Sequence, residues 1–286
     1  MSNIPPPKIV PQLMAQLKTP NAVASEQPFP PIRNFVLDVM SEGRRKNIIN
    51  LLCEADLHTL NIQLAEASAL GHKVSVTSYL GKLLAETIAE DKTIHAYRKG
   101  RRKLVIFNDI DLAFTVEREY QGDGSDSDAN ALLPIPYIVR AANEKTVQQI
   151  HAELQMAKSA ALGSAGPMSA LEKYFFLLPR ALRSMVWFFI RRDPYLFKQL
   201  VGTVGVTSMG MFASGAAVVI PISPMTLTLS IGSLAKRLVF DDQGAVVMRE
   251  YIQLNLSADH DVIDGAPLMR FAERFRQKIQ NAGPLV

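Results

Sequence analysis

The C-terminal third of the chain most constrains the fold, because strand-like apolar runs follow one another there at short intervals. Turn residues separate these runs, and an amphipathic helix over 266–280 closes the chain. The predicted strands cover 204–207, 217–220, 227–231, 245–248 and 251–257. A chain that mixes strands with helices along its whole length is expected to form a two-layer α/β sandwich.

The region before this strand-rich part is predicted to mix both element types. Helix-spaced apolar residues predict one or two helices over 40–70 and another over 76–88. Further predicted elements are strands at 104–107, 112–117 and 132–141, a surface loop at 122–128 and a helix at 146–158. Residues 1–34 are Pro-rich and predict an extended N-terminal arm, followed by a single domain over 35–286.

Composition narrows the class of protein. The 31 basic residues exceed the 27 acidic ones, which favours anionic partners, but no nucleic-acid-binding signature is present and we expect no nucleic acid partner. The single cysteine, Cys53, excludes a disulfide framework within the chain and indicates a reducing, cytoplasmic environment. We interpret Cys53 as a structural thiol in a helix. The four histidines other than His260 are isolated, so no metal site is expected.

An aromatic segment at 170–200 carries Trp187, Phe188 and Phe189 beside several arginines. It is too short and too often interrupted to span a membrane. We interpret it as a helical hairpin packed on the protein or against another subunit. The alternative is a peripheral membrane contact, in which an interfacial helix lies on anionic lipid.

His260 is the candidate for chemistry. It follows a predicted strand and is followed at four residues by Asp264 and then by Gly265, where a tight turn leads into the last helix. A histidine held there can act as a general base. The spacing alone equally fits a structural histidine with a helix N-cap at Asp264, so this alternative stays open.

Three blocks of sequence, in order, resemble one family. They are RRKNII at 44–49, GTVGVTSMGMF at 202–212 and LSADHDVIDGAPLMRF at 256–271. Together they are similar to the catalytic domain of the dihydrolipoyl acyltransferases of 2-oxoacid dehydrogenase complexes, whose His-x-x-x-Asp-Gly signature chloramphenicol acetyltransferases share. The resemblance extends over roughly 35–283, with an aromatic helical insertion at about 168–200 that departs most.

The resemblance implies a CoA-dependent acyltransferase fold and a role for each matching residue. His260 corresponds to the general base, and Gly265 completes the motif. Asp264 corresponds to the family residue that holds the geometry of the motif through an ion pair with an arginine. Arg45 occupies the position of that arginine. Thr207 occupies the position of a serine whose hydroxyl stabilises the tetrahedral oxyanion, and Ser208 is the alternative donor.

The resemblance also implies substrates and assembly. The expected donor is an acyl-CoA, with coenzyme A as substrate rather than bound cofactor. The acceptor is a dihydrolipoyl group, a carrier protein or a small molecule. No lipoyl domain is recognised, so we expect a stand-alone catalytic domain that forms a homotrimer with active sites between subunits. Thr207 and Asp261 depart from the commonest family residues, which keeps open a non-catalytic scaffold or binding module on the same fold.

Overall fold

A computed structural model describes residues 29, 33–120, 131–159, 175, 178–210, 213, 215–241 and 243–283. The chain divides into two compact units, Met1–Pro30 and Pro31–Val286. Most of the predicted N-terminal arm and all of the predicted loop at 122–128 lie outside the described residues. The division into an arm and one domain therefore stays a prediction.

The second unit contains helices and strands in an irregular alternation. Its described helices are α1 (Arg33–Gly43), α2 (His58–Ala69), α3 (Val76–Glu90), α4 (Val147–Ser159), α5 (Arg180–Arg192), α6 (Pro194–Val201) and α7 (Gly265–Gln280). Its described strands are β1 (Ile48–Asp56), β2 (Tyr97–Lys99), β3 (Lys103–Val105), β4 (Leu112–Tyr120), β5 (Ala131–Val139), β6 (Val204–Ser208), β7 (Leu227–Phe240) and β8 (Val246–Asp259). A short 3-10 turn, Lys92–His95, links α3 to β2.

Six strands form one mixed sheet in the order β1-β8-β7-β6-β4-β5. The pairs β4–β6 and β6–β7 are parallel, and the other pairs are antiparallel. Strands β2 and β3 form a separate two-stranded ribbon. The predicted mixed α/β class is therefore confirmed.

The main core lies between one face of this sheet and the helices α2, α3, α4 and α7. Helix α7 buries Phe271, Phe275 and Ile279 at helical spacing, and Phe271 stacks on Phe275 with ring centroids 6.5 Å apart. Each such side chain contributes about 1.5–3 kcal/mol by leaving water. Because α7 follows directly on the His260 turn, its packing fixes that turn against the sheet.

A second, smaller core covers the opposite face at one end of the sheet. In β4, Leu112 and Phe114 belong to the main core, whereas Ala113 belongs to the second, as alternation along a strand requires. Trp187 of α5 and Phe197 of α6 fill this second core. In the described part of the aromatic segment, α5 and α6 thus pack on the domain. The choice between a packed hairpin, a subunit contact and a membrane contact stays a prediction.

Three sequence-based assignments are wrong. Residues 48–56 form the strand β1 rather than a helix, so Cys53 lies in a strand, where burial raises the pKa of its thiol. Residues 217–220 have no strand pairing. The two short strands predicted at 245–248 and 251–257 are one continuous strand, β8.

The outer halves of β7 and β8 form a hairpin that extends past both neighbouring strands. Strand β6 ends at Ser208, opposite Ile231, and β1 ends at Asp56, opposite Tyr251. Beyond these points β7 pairs only with β8 in the described sheet. This projecting hairpin exposes large apolar side chains at Leu238, Phe240, Val246 and Met248.

Candidate active site

The turn that carries His260 is held by its first residue. Asp259 ends β8 with its side chain buried; its Oδ1 accepts from the Asp261 N–H at 3.2 Å and its Oδ2 from Lys46 Nζ at 2.6 Å. Its carbonyl oxygen also accepts from the N–H groups of Val262 and Ile263. One buried carboxylate therefore organises the turn and ties it to the segment before β1.

His260 itself is fixed through its backbone. Its N–H donates to the carbonyl oxygen of Asn47 at 2.7 Å, and the Asn47 side-chain amide donates to Asp261 Oδ1 at 2.9 Å. The carboxylate of Asp261 also lies 3.6 Å from the Arg98 guanidinium. The imidazole of His260 remains 46 % exposed, so its backbone is held while its ring faces solvent. We call this turn, with Lys46, Asn47 and Arg98, the histidine end of the sheet.

Asp264 lies beside the histidine rather than beside an arginine. Its Oδ1 is 3.7 Å from His260 Nδ1, its side chain is 81 % exposed, and it precedes α7 without a side-chain cap hydrogen bond. Within the described residues Arg45 pairs with Glu42 at 3.3 Å, so the expected Arg45–Asp264 ion pair does not form within one chain. Arg45 pairs with Glu42 instead because it lies two residues after the end of α1, close to Glu42 in the last turn of that helix.

The candidate oxyanion residues lie at the end of β6. Thr207 pairs in register with Ser230 of β7 and is partly buried. The next residue, Ser208, accepts a hydrogen bond from the Thr77 hydroxyl of α3 at 3.3 Å. A Cβ on Gly210 would lie 2.0 Å from the Gly232 carbonyl oxygen, so only glycine permits this close approach of the two backbones. We call Thr207, Ser208 and Thr77 the hydroxyl end of the sheet.

The two ends are far apart within one chain. Val204 of β6 lies opposite Leu227 of β7, which in turn lies opposite Ala258 of β8. Val204, Leu227 and Ala258 thus form one row across the sheet. Thr207 lies three residues beyond this row toward the projecting hairpin, and His260 lies two residues beyond it toward the opposite edge. At roughly 3.3 Å per residue and 4.8 Å per strand, they are about 16 Å apart along the strands and about 10 Å across them. A single chain therefore cannot bring both side chains to one reacting atom.

A cavity of about 200 Å³ adjoins the histidine end. Asp259 and Asp261, on either side of His260, both line it. Trp187 and Phe197, from the second core, form part of its wall. The helices that depart from the family pattern thus reach the residues that flank the histidine.

Other titratable clusters have structural roles. Lys198 of α6 donates to Asp109 and Asp111, both at 2.7 Å, which ties α6 to the start of β4. His95 is fully buried, and burial lowers its pKa to about 4. His151 accepts from the backbone N–H of Ser75 at the start of α3. Among the described residues, no group of three or more His, Cys, Asp or Glu side chains is arranged to hold a metal ion.

Four residues of the histidine and hydroxyl ends were not predicted from the sequence. They are Lys46, Asn47, Thr77 and Arg98. Lys46 and Asn47 lie inside the RRKNII block, so the resemblance pointed to the correct segment but to Arg45 within it. The contacts of Thr77 and Arg98 join parts of the chain more than a hundred residues apart, for which the sequence carries no local signal.

The architecture matches that of acyltransferase cores of known structure, a likeness that shows the fold. The chain is similar over 98 % of its length to the dihydrolipoamide acetyltransferase of Azotobacter vinelandii (98 % of that chain covered, TM-score 0.66, 19 % identity), a structure determined to study the roles of a serine, a histidine and an asparagine in catalysis. It is equally similar to the cubic core of the pyruvate dehydrogenase multienzyme complex (98 % of each chain, TM-score 0.64, 19 % identity).

Sequence comparison gives a match to one family over part of the chain. Residues 199–286 match the 2-oxoacid dehydrogenases acyltransferase (catalytic domain) family. Over 80 residues, 28 % of this chain, the sequence is 35 % identical to the lipoamide acyltransferase component of the branched-chain alpha-keto acid dehydrogenase complex of Bacillus subtilis (strain 168). The match spans only 19 % of that relative. The resemblance recognised in the sequence, and the predicted acyltransferase-type sandwich, are thereby confirmed.

Proposed function

We propose that the protein transfers an acyl group between coenzyme A and a thiol or hydroxyl acceptor, with His260 as general base. The observation that carries this proposal is the fixed backbone and exposed ring of His260 at the end of β8. Since Nδ1 faces Asp264, we assign the proton transfer to Nε2. Asp264 then orients the ring and stabilises the imidazolium that forms.

The reaction balances with the residues present. His260 Nε2 takes the proton of the acceptor S–H or O–H as its sulfur or oxygen attacks the thioester carbonyl carbon. The resulting oxyanion accepts a hydrogen bond from the Thr207 hydroxyl. Collapse of the tetrahedral intermediate breaks the carbon–sulfur bond to coenzyme A, and the departing thiolate takes the proton back from His260. One such oxyanion donor contributes about 2.7–4 kcal/mol to the barrier reduction.

The similar proteins support these assignments. In the Azotobacter vinelandii enzyme, the histidine and the asparagine studied for catalysis are four positions apart, as His260 and Asp264 are here. A hydroxyl residue, serine in that enzyme, completes its set. The relatives act on lipoamide, so a dihydrolipoyl group on a separate lipoyl or carrier protein is the acceptor class that we favour.

We further propose that the active site forms between copies of the chain in a homotrimer. A ring of copies with identical head-to-tail contacts can bring the histidine end of one chain to the hydroxyl end of the next. The projecting hairpin extends from the hydroxyl end with Leu238, Phe240 and Met248 exposed, and such apolar surface is typical of an interface. A comparable acyltransferase forms a cubic core.

A panel of acyl-CoAs of increasing chain length, with dihydrolipoamide as acceptor, tests the activity. We expect release of coenzyme A that depends on His260 and is retained by His72→Ala, a change at an exposed histidine outside the site. Turnover by His260→Ala equal to that of the unchanged protein would refute the role of His260. If no acyl-CoA of the panel releases coenzyme A, the result would favour the scaffold or binding-module alternative.

One observation favours an additional membrane role. Helix α5 exposes Leu182, Met185 and Phe189 along one stripe and ends in Arg191 and Arg192, a pattern typical of a helix on anionic lipid. No helix in the described part of the chain is long and apolar enough to cross a bilayer.

Co-sedimentation with vesicles that contain phosphatidylserine tests this surface contact. Met185→Ser/Phe189→Ser is the variant, and Met156→Ser on α4 is the matched control, because Met156 is equally exposed away from α5. Binding of the unchanged protein that the double variant loses supports the membrane role. Failure of the unchanged protein to co-sediment removes it.

A further inference from the structure

The cavity beside His260 has an aromatic wall and a charged rim. Its wall includes Tyr97, Trp187 and Phe197, and the Tyr97 and Phe197 rings lie 4.9 Å apart between centroids. Its volume of about 200 Å³ is below that of a typical pocket for a whole drug-sized ligand, about 300–1,000 Å³. Such a cavity is suited to one part of a substrate rather than to all of it.

The rim carries one positive charge more than it carries negative charges. Four cationic side chains line the cavity, against the three carboxylates of Glu42, Asp259 and Asp261. Lys46 pairs with Asp259 and Arg98 with Asp261, which leaves these two pairs neutral. The cations are Arg45, Lys46, Arg98 and Arg191.

The surplus charge lies at Glu42, because two arginines share its single carboxylate. Glu42 Oε1 is 3.3 Å from Arg45 and 3.0 Å from Arg191. The Arg45 side chain is 57 % exposed, so its remaining N–H donors are accessible to a ligand. A second carboxylate placed here would give each arginine its own partner.

Besides the two arginines, the indole N–H of Trp187 is a hydrogen-bond donor near the cavity, and within the described part of the chain it lacks an acceptor. Trp187 is 4 % exposed, and its Nε1–H has no hydrogen-bond partner among the described residues. A buried donor left unpaired costs about 1–3 kcal/mol. Trp187 lies one helical turn before Arg191 on α5, so both side chains are on the same face of that helix. Trp187 therefore lies beside Arg191 in the cavity wall, where its emission can respond to a ligand held by the arginines.

We propose that this cavity is a subsite for a small organic carboxylate, bound between Arg45 and Arg191 beside the ring of Trp187. One surplus positive charge matches a monoanion, and the aromatic wall matches the carbon chain that bears it. A dianionic phosphate matches the charge less well and has no apolar part to cover the wall. Because Asp259 and Asp261 link the cavity to the His260 turn, the carboxylate belongs to the acyl group or to the acceptor. This second step rests on the proposed function, whereas the binding itself does not.

Trp187 is the only tryptophan of the chain, so its fluorescence reports on this cavity alone. We expect hexanoate to change the emission saturably, while hexanamide, of the same shape without charge, and inorganic phosphate do not. Arg45→Gln and Arg191→Gln are each expected to weaken hexanoate binding roughly ten-fold or more, since each removes a charge-assisted hydrogen bond. Glu42→Gln is expected to tighten it, because the competing carboxylate is removed.

Arg192→Gln is the matched control. Arg192 follows Arg191 on α5, stacks on Phe188 and does not line the cavity, so its loss is expected to leave hexanoate affinity unchanged. Equal responses to hexanoate and hexanamide, a response to phosphate instead of hexanoate, or an equal loss in Arg192→Gln would each overturn the proposal. Because binding needs no turnover, this result is independent of whether the acyltransferase assay succeeds.

Glutaryl-CoA and valeryl-CoA then distinguish the two sources of the carboxylate. They have the same chain length and differ in the terminal carboxylate. A lower KM for glutaryl-CoA that Arg191→Gln abolishes assigns the subsite to the acyl group. Equal KM values, in a protein that binds hexanoate, assign it to the acceptor.

Discussion

The histidine end and the hydroxyl end of the sheet are built in different ways. The histidine end is a turn held by residues from distant parts of the chain, Lys46, Asn47 and Arg98, and its imidazole points to solvent. The hydroxyl end is part of a regular strand, where the parallel pairing with β7 fixes Thr207. Beyond it the sheet continues only as the projecting hairpin.

In the proposed homotrimer, each chain carries two unlike halves of a site. One half presents an exposed proton acceptor on a fixed backbone, and the other presents a hydroxyl whose position is set by strand register. Neither half can complete the chemistry alone, because about 16 Å along the strands separates them. Under this proposal, assembly rather than folding of one chain creates the active site.

Complementation between two inactive variants is the largest effect that this comparison predicts. His260→Ala and Thr207→Val are each expected to lose nearly all turnover, by about 100- to 10,000-fold for the histidine. In trimers refolded from an equal mixture, about one quarter of the sites pair an intact His260 with an intact Thr207 from a neighbour. Turnover of the mixture is therefore expected to rise to about a quarter of the unchanged level.

The control for complementation is the same two proteins mixed without unfolding and assayed at once, for which we expect no gain in turnover. If the refolded mixture stays as inactive as its components, the two residues do not share a site across an interface. Analytical ultracentrifugation of each variant checks that the oligomer is intact.

Thr207→Val taken alone separates the two hydroxyl candidates. The isosteric change removes only the hydroxyl, and we expect turnover to fall about 100- to 1,000-fold with little change in KM for the acyl-CoA. Ser208→Ala is the matched comparison, and we expect a smaller loss because the proposal assigns the oxyanion donor to Thr207. A larger loss in Ser208→Ala would transfer the oxyanion role to Ser208.

Lys46→Met tests how the histidine end is held. It leaves the buried Asp259 carboxylate without its cation, which we expect to lower the free energy of unfolding by about 3 kcal/mol. Urea denaturation measures the change. Lys46→Met/Asp259→Asn is expected to regain part of it, and Arg237→Met, which breaks an exposed pair with Glu54, is expected to cost less than about 1 kcal/mol. Equal losses in the two single variants would contradict the importance of the buried pair.

Acid is expected to destabilise the fold through His95, in the 3-10 turn that leads to β2 and Arg98. Burial lowers its pKa to about 4, below the ordinary value of 6.5, so the unfolded chain binds the additional proton between these pH values. Stability therefore falls as pH falls, by about 2 kcal/mol between pH 7 and pH 5 from this group.

Thermal or urea unfolding across that pH range checks the effect of His95. His95→Gln is expected to flatten the pH dependence, whereas His72→Gln, at an exposed histidine, leaves it unchanged. An unaltered slope in His95→Gln would show that other groups determine the acid sensitivity.

The sequence predicts the His260 turn and the last helix because both depend on local signals. Strand β8 runs directly into a short Asp-Gly motif, and the apolar residues of α7 recur at helical spacing up to Ile279. The order of the blocks then identifies the fold. For this part of the chain, local pattern and tertiary structure agree.

Strand β1 escaped prediction because its apolar residues do not alternate. Ile48, Ile49, Leu51 and Leu52 recur at one, three and four residues, which fits a helix as well as a strand. Among the described strands, β1 lies at the sheet edge and pairs only with β8. It is partly buried on both faces and lacks the two-residue period. Only tertiary pairing over some 200 residues decides between the two structures.

The partners of the site residues were beyond prediction for a related reason. The contact between Lys46 and Asp259 joins residues 213 positions apart. The sequence around Lys46 contains no pattern that would identify Asp259 as its partner. The resemblance selected the neighbouring Arg45. The choice between two adjacent cations depends on which side chain faces β8, and that is fixed by the register of β1.

The hydrogen bond from His260 to Asn47 has a consequence for the order of events during synthesis. It closes a loop that includes most of the chain, and β1 has no strand partner until β8 has left the ribosome. Contacts at such separation form late, because their loop-closure entropy must be offset by structure already in place. Until then the edge of β7 and the apolar face of the unfinished sheet are exposed. The nascent chain is thus expected to be most vulnerable to aggregation in the interval before β8 emerges.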